Sequence, residues 1–207
     1  MKTKLIFVLS VLLVFSACSK NYKSFDLEPE FKKGKSVKEL INTNEKHQLV
    51  AIIETKFGKI ELELFKDDAP KAVENFIGLS LQGYYNGIKF HRIVKNLLIQ
   101  GGDSTGTGKG GRSYFGSEFE NEISYKLRFD SPGILALANR GPDTNTSQFF
   151  ITNAPIPYLD GKHTIFGKVI NGLEIVQKIV SQETDEKESP ISDILINKIS
   201  VEKRIFN

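Results

Sequence analysis

Several features that define common classes of protein are scarce in this sequence of 207 residues. Its single cysteine, Cys18, cannot form an intramolecular disulfide. The three histidines, His47, His91 and His163, lie far apart, and no Cys/His spacing indicates a zinc site, so neither a metal nor a cofactor is predicted. The net charge is only +3, without a clustered basic face, which argues against nucleic acid as a partner.

Long apolar runs are also missing. The run from Leu5 to Phe15 has about eleven positions, too few to span a bilayer comfortably, and it follows the basic residues Lys2 and Lys4. A short basic start before a short apolar run is typical of an export signal. We therefore predict a cleaved signal peptide over residues 1–17.

The signal ends in Phe15-Ser16-Ala17-Cys18. This ending resembles the lipobox of bacterial lipoproteins, although Phe15 stands where Leu or a smaller aliphatic residue is more usual. The resemblance implies that Cys18 becomes the N-terminus, carries acyl chains and anchors the protein to the membrane, on the periplasmic side of a bacterial cell envelope. The alternative is an ordinary secretory signal followed by a chance cysteine.

Composition divides the remaining chain into a linker and one domain. Residues 18–46 are rich in Lys, Glu and Asn and contain Pro29 and Gly34, which predicts a solvated tether with a short helix near Ser36–Ile41. Residues 47–207 are long enough to bury a core and fold independently.

Short alternating apolar segments in this domain predict a mostly β fold. The sequence Asp67-Asp68-Ala69-Pro70 predicts a helix with an Asp N-cap that ends at Gly83. A second helix is predicted over Leu173–Val180. Strands are predicted at Leu49–Ile53, Ile60–Phe65 and Ile191–Ile205.

The segment FHRIVKNLLIQGGD, residues 90–103, suggests where the chemistry lies. Its two apolar pieces read as a strand pair rather than a helix, because they are short, partly β-branched and followed by Gly-Gly. Such a pair holds Arg92 and Gln100 close together beside an apolar floor.

Two further segments make the interpretation specific. They are PGILALANRGPDTNTSQFFI, residues 132–151, and YLDGKHTIFGKV, residues 158–169. With all three segments, the chain resembles the cyclophilin family of peptidyl-prolyl cis-trans isomerases over roughly residues 48–203. The resemblance implies a closed antiparallel eight-stranded β-barrel capped by two α-helices.

The resemblance also implies roles for individual residues. Arg92 matches the catalytic arginine, and Gln100 matches the residue that positions it and contacts the peptide. Other residues match positions that line the proline pocket or hold the peptide: Leu97, Leu98, Ala138, Asn139 through its backbone, Gln148, Phe150, Tyr158, Leu159 and His163.

Three positions depart from the usual family pattern. Leu97 stands where Phe is usual, so we expect a less aromatic wall around the proline. Leu98 stands where Met is common, a change that conserves volume. Tyr158 stands where many members have a Trp that contacts the inhibitor cyclosporin, so we expect weakened cyclosporin binding.

The glycine-rich loop after Gly101 offers a different hypothesis. Gly106–Gly111 matches the GxGxxG pattern of nucleotide-binding proteins. That pattern requires a helix directly after the loop, and Tyr114-Phe115-Gly116 does not begin one. We interpret the loop instead as a rim of the peptide groove.

The predicted partners are proline-containing polypeptides, and the predicted protein is a monomer that isomerises X–Pro bonds in exported proteins. A proline-peptide binding or chaperone module with low turnover is the alternative. Because binding proline alone needs no charge at the imide nitrogen, Arg92 and Gln100 favour the enzyme.

Overall fold

A computed structural model describes residues 22–43 and 46–206. The predicted signal peptide and Cys18 lie outside the described residues. In the part of the chain that is described, no helix is both long and apolar enough to cross a membrane.

Within residues 22–43 and 46–206, nine strands form one antiparallel sheet. They are β1 (Tyr22–Asp26), β2 (Gln48–Thr55), β3 (Gly58–Leu64), β4 (Arg92–Val94), β5 (Leu98–Gly101), β6 (Ile134–Leu137), β7 (Phe149–Thr152), β8 (Ile165–Asn171) and β9 (Lys198–Phe206). The helices are α1 (Glu28–Lys32), α2 (Val37–Ile41), α3 (Pro70–Leu81) and α4 (Leu173–Val180), with a 3₁₀ turn at Pro157–Leu159.

The sheet differs from the predicted closed barrel of eight strands. Its order is β1-β9-β2-β3-β8-β6-β7-β5-β4, so β1 and β4 are edges. Close to the β4 edge, the segment that precedes β4 meets the segment that precedes β9 through an isolated bridge between Lys89 and Leu195. A single bridge does not continue the strand ladder, and the sheet is therefore not closed. The mostly β, antiparallel class is confirmed.

Residues 22–42 do not form the predicted solvated tether. Strand β1 pairs with β9 along its whole length, and the backbone N–H of Leu27 donates to the carbonyl of Val201 at 3.0 Å. Helix α2 begins with a capping box between Ser36 and Glu39, which confirms the predicted short helix. The composition of this segment is polar, but four of its apolar residues are buried in the main core: Leu27, Val37, Leu40 and Ile41.

Helix α3 packs its apolar face into the main core, where the Phe76 ring lies 5.4 Å from that of Phe149. The predicted Asp N-cap is wrong: Ala69 occupies that position. The Glu122 carboxylate instead accepts hydrogen bonds from the N–H groups of Lys71 and Ala72 at 3.0 and 2.8 Å. A side chain from elsewhere in the fold thus satisfies the helix N-terminus.

The C-terminal elements match their predictions in part. Helix α4 has the predicted bounds, and it begins after Gly172, whose φ of 86° suits glycine. The last strand begins at Lys198 rather than at Ile191. Residues 191–197 are instead a connection that passes beside the segment preceding β4.

Candidate active site

The sheet separates the main core from a smaller apolar cluster. Because successive side chains of a strand point to opposite faces, Phe149 enters the main core while Phe150 enters the smaller cluster. The same alternation on β5 sends Ile99 to the main core and Leu98 to the smaller cluster. The side chain of Gln100 then shares the face of Leu98, and the site is built on this face.

The predicted strand pair is confirmed. Strands β4 and β5 are antiparallel neighbours, and Arg92 lies directly opposite Gln100. The Nη1 of Arg92 donates to the Oε1 of Gln100 at 3.2 Å. The Nε2 of Gln100 in turn donates to the Oε1 of Gln148 at 2.9 Å. These three side chains form a polar row along the cavity.

The last member of the polar row is fixed by the glycine-rich loop. The Nε2 of Gln148 donates to the carbonyls of Gly108 and Gly110 at 3.1 and 2.7 Å. With its amide nitrogen engaged there, the Gln148 oxygen faces Gln100. The orientation of Gln100, and through it that of Arg92, is therefore set by hydrogen bonds.

An apolar floor faces the polar row. The Phe150 side chain is 3% exposed, stacks on Phe129 with ring centroids 5.7 Å apart, and meets the His163 ring edge-on at 5.4 Å. The Nδ1 of His163 donates to the carbonyl of Leu137 at 3.0 Å. Burial lowers the pKa of His163 below its usual value, although the hydrogen bond to Leu137 acts in the opposite direction.

The polar row and the apolar floor enclose a cavity of about 530 Å³. A smaller pocket of about 70 Å³ adjoins it and shares Gln100, Ala138 and Asn139 with its wall. Ten of the eleven predicted site residues line the main cavity: Arg92, Leu97, Leu98, Gln100, Ala138, Asn139, Phe150, Tyr158, Leu159 and His163. The eleventh, Gln148, lines the smaller pocket.

Asn139 sits between the two pockets, with its side chain occupied by the fold. Its Nδ2 donates to the carbonyl of Lys162 at 3.0 Å and to the Oδ1 of Asn121 at 3.3 Å. The side chain therefore ties two loops together. The expected contact of Asn139 with a peptide, through its backbone, stays a prediction.

Two of the three departing positions lie at the edge of the cavity, whereas Leu98 is buried on β5. Leu97 lies in the turn between β4 and β5 and is half-buried, and Tyr158 on the 3₁₀ turn is 62% exposed. Both side chains line the cavity, and we expect them to affect what binds there.

The glycine-rich loop is organised around a carboxylate. Asp103 accepts hydrogen bonds from the backbone N–H groups of Thr105, Thr107, Gly108 and Gly110 at 2.7–3.1 Å. Burial opposes ionisation of Asp103, but these hydrogen bonds hold its pKa below the usual value. The amides that a phosphate would need are thus already engaged, and no helix follows over residues 112–133.

A sequence model of the family described as cyclophilin type peptidyl-prolyl cis-trans isomerase/CLD matches residues 50–201. The match covers most of the chain and includes every residue of the polar row and the apolar floor. The chain belongs to the cyclophilin family. Peptidyl-prolyl cis-trans isomerisation is therefore its activity.

Curated cyclophilins from distant eukaryotes are similar over the same region. Peptidyl-prolyl cis-trans isomerase-like 1 of Mus musculus is 53% identical over 146 residues, covering 70% of this chain and 88% of the mouse protein. Peptidyl-prolyl cis-trans isomerase CYP18-2 of Arabidopsis thaliana is 49% identical over 149 residues, covering 72% and 91%. These relatives are eukaryotic and lend no support to a bacterial lipoprotein form.

Solved cyclophilin structures share the fold. A cyclophilin type isomerase of Cryptosporidium parvum is 43% identical, with a TM-score of 0.73, and the match covers 75% of this chain and 98% of that one. A second structure of the same protein, in the presence of the dipeptide Ala-Pro, has a TM-score of 0.71 and 42% identity, covering 76% and 98%.

Sequence reasoning missed the loop that follows α4. Lys187 and Ser189 line the cavity, and the carboxylate of Glu188 contacts Arg92. Val94, on the same face of β4 as Arg92, also lines the cavity and is explained by strand alternation. The loop carries a run of charged residues, but nothing in that run points to a cyclophilin active site.

Proposed function

We propose that Arg92 is the group that accelerates rotation about X–Pro bonds. The proposal rests on the hydrogen bond from Arg92 to Gln100 beside the Phe150 floor, within one cavity. In the twisted imide the nitrogen loses resonance and becomes a better hydrogen-bond acceptor. A guanidinium aimed at that nitrogen binds the twisted state more strongly than the planar state, which lowers the barrier.

The required stabilisation is modest. The peptide bond resists rotation by about 18–20 kcal/mol, and an X–Pro bond isomerises unaided in roughly 10–100 s. A typical turnover number requires an acceleration of roughly 10³- to 10⁵-fold, or about 4–7 kcal/mol. No covalent bond breaks, so the reaction needs neither a nucleophile nor a metal. A charged donor and an oriented substrate provide the kind of stabilisation that this reaction needs.

The substrate we propose is a proline-containing polypeptide. The related structure obtained with Ala-Pro supports this class of ligand. The proline ring packs on Phe150, walled by Leu97 and Leu159, while Gln100 and Gln148 hold the peptide backbone. The smaller pocket receives a neighbouring side chain of the peptide.

Substitution of the arginine tests the mechanism. We expect Arg92→Ala to lower kcat/KM for a proline peptide about 100-fold, as loss of one preorganised donor does in other enzymes. The free energy of unfolding should be nearly unchanged, because the side chain is 43% exposed. Lys95→Ala, which removes an exposed cation from the same hairpin, is the control and should have wild-type activity.

If Arg92→Ala turned over substrate at the wild-type rate, the proposed role of the arginine would be wrong. Retained peptide affinity with lost turnover would also separate the enzyme from a simple proline-binding module. A protease-coupled peptide assay and a peptide titration measure the two quantities.

For the cellular context, we propose that the protein acts on exported polypeptides while anchored in a bacterial envelope through lipidated Cys18. The signal-like residues 1–17 support this proposal. Strand β1 begins at Tyr22, four residues after Cys18, so at most about 14 Å of chain separates an anchor from the domain. Such an anchor would hold the domain close to the membrane surface.

Fractionation of cells tests the anchor. The full chain should incorporate labelled palmitate and sediment with membranes, whereas Cys18→Ser should do neither. Equal behaviour of the two forms would exclude lipidation at this cysteine. We also propose a monomer, because one chain supplies every wall of the cavity; sedimentation at micromolar concentration measures this.

A further inference from the structure

The arginine of the polar row has a second partner. The Nε of Arg92 donates to the Oε2 of Glu188 at 2.7 Å. Glu188 lies 96 residues later in the chain, on the loop between α4 and β9. The hydrogen bond between Arg92 and Glu188 is shorter than the 3.2 Å hydrogen bond between Arg92 and Gln100. The guanidinium is therefore held from two sides.

The loop that carries Glu188 has a fixed internal geometry. The Oδ1 of Asp185 accepts from the N–H groups of Lys187 and Ser189 at 2.9 and 2.8 Å. The N–H of Glu188 donates to the carbonyl of Asp185 at 3.0 Å. These bonds close a tight turn and place Glu188 at φ 63°, a conformation that non-glycine residues seldom adopt.

A backbone hydrogen bond connects this turn to β4, the strand that carries Arg92. The N–H of Ile93, the residue after Arg92, donates to the carbonyl of Glu188 at 2.7 Å. Glu188 thus contacts β4 through its main chain and Arg92 through its side chain. Its placement next to Arg92 does not depend on the side chain alone.

The two contacts leave part of the guanidinium free for a ligand. A guanidinium has five N–H donors in a planar fork. Glu188 engages the one on Nε, and Gln100 engages one on Nη1. The remaining three are on the two terminal nitrogens. With Nε fixed, the plane of the fork is fixed, and its free donors have a defined direction for a ligand.

We propose that Glu188 is a positioning residue that orients Arg92 for catalysis, an inference that rests on the proposed role of Arg92. Both side chains are about two-fifths exposed, 43% for Arg92 and 42% for Glu188. A long side chain with such exposure loses rotamer entropy when it is ordered. The ion pair orders the arginine before the substrate binds, so that cost is not paid during turnover.

The carboxylate also has an opposing electrostatic effect, because it reduces the positive potential of the guanidinium. The pair is exposed, so solvent and salt screen this effect, while the direction of the hydrogen bond is kept. Orientation should therefore outweigh the reduced potential. Variants of Glu188 distinguish the two effects, since one follows the hydrogen bond and the other follows the charge.

Three variants of the full chain test the proposal. Glu188→Ala should lower kcat/KM about three- to fivefold, mainly through kcat, the range for an exposed charge pair. Glu188→Gln should recover most of the activity, because its amide oxygen still accepts from Nε. Glu186→Ala is the matched control: it removes the same charge from the same loop, where its exposed side chain makes no hydrogen bond or ion pair within the described residues.

A second measurement reads the arginine directly. The Nε–H resonance of Arg92 should exchange slowly with water in the wild type and in Glu188→Gln, and faster in Glu188→Ala. In an Arg92→Ala background, adding Glu188→Ala should cause no further loss of activity. A residue that acted only on folding would change stability in both backgrounds and would not be rescued by glutamine.

The outcomes separate this inference from the proposed function. If Arg92→Ala is inactive while Glu188→Ala has wild-type or higher activity, the positioning role is wrong and the catalytic arginine stands. If Glu188→Gln is as impaired as Glu188→Ala, orientation by the hydrogen bond is wrong. Wild-type activity in Arg92→Ala would show that both the catalytic role of Arg92 and the positioning role of Glu188 are wrong.

Discussion

The two sides of the cavity are built in different ways. The apolar side, Phe150 with Leu98, is buried and continuous with the cluster around Phe129. The polar side, Arg92 and Gln100, is partly exposed and held by hydrogen bonds. Because the apolar side is buried, its residues contribute both to the stability of the fold and to peptide binding. The residues of the polar side can be substituted with little effect on stability. Turnover and folding should therefore respond to different residues.

The largest effects are expected when each of two adjacent residues of β7 is replaced by alanine in a separate variant. Phe150→Ala should lower the free energy of unfolding by about 3–5 kcal/mol, because it leaves a cavity, and should also abolish binding of proline peptides. Phe149→Ala removes an equal side chain from the main core and should lose similar stability but keep peptide affinity. Urea unfolding and a peptide titration measure the two effects.

The comparison would break if the two variants lost peptide affinity equally. In that case the floor would depend on the packing of the whole sheet and not on the residue that faces the cavity.

A smaller effect is expected from enlarging the apolar side. Leu97→Phe adds apolar surface at a half-buried position of the cavity wall. We expect the KM for proline peptides to fall about threefold to fivefold, from the additional area removed from water. The kcat should be unchanged, because the contact between Arg92 and Gln100 lies on the other side. A higher KM would show that the cavity has no room for the ring.

The smallest expected effect concerns pH. Burial lowers the pKa of both His91 and His163 in the folded protein. In the unfolded chain the histidines have pKa values near 6.5, so as the pH falls the unfolded chain binds protons before the folded protein does. The stabilisation is complete above about pH 6.5 and is lost as the pH falls through the lowered pKa values. We expect the free energy of unfolding to decrease from pH 7.5 to 5.5.

The variant His163→Gln should give a shallower pH dependence over the same window, which lies above the range in which carboxylates titrate. The difference should be small because His163 is partly exposed. A stability that stayed constant, or that rose toward pH 5.5, would contradict the assignment of neutral histidines to the folded protein.

The local elements and the cavity residues could be predicted from the sequence. The short apolar pieces of residues 90–103 predicted a strand pair that holds Arg92 close to Gln100, and the structure places the two residues opposite each other. The other predicted residues of the cavity wall came from the resemblance to cyclophilins. The bounds of α4 follow from its apolar spacing. Such patterns involve residues a few positions apart, whose geometry is fixed by the period of the helix or the strand.

Contacts between distant segments could not be predicted in this way. The polar composition of residues 22–42 indicated a linker, yet Leu27 and Leu40 are buried in the core. The N-terminus of α3 is capped by Glu122, about 50 residues away, rather than by a neighbouring aspartate. In each case a few well-placed side chains outweigh the average composition.

The sequence by itself determined the strand-rich class and the two longer helices, because periodicity is a local property. Its three long motifs, through their resemblance to the cyclophilin family, predicted most residues of the cavity wall. Only the tertiary structure decided that the described part of the chain forms a nine-stranded sheet with open edges, that residues 22–26 join it, and that Glu188 contacts Arg92. These outcomes depend on which surfaces meet once the chain is compact, and no repeat along the chain encodes them.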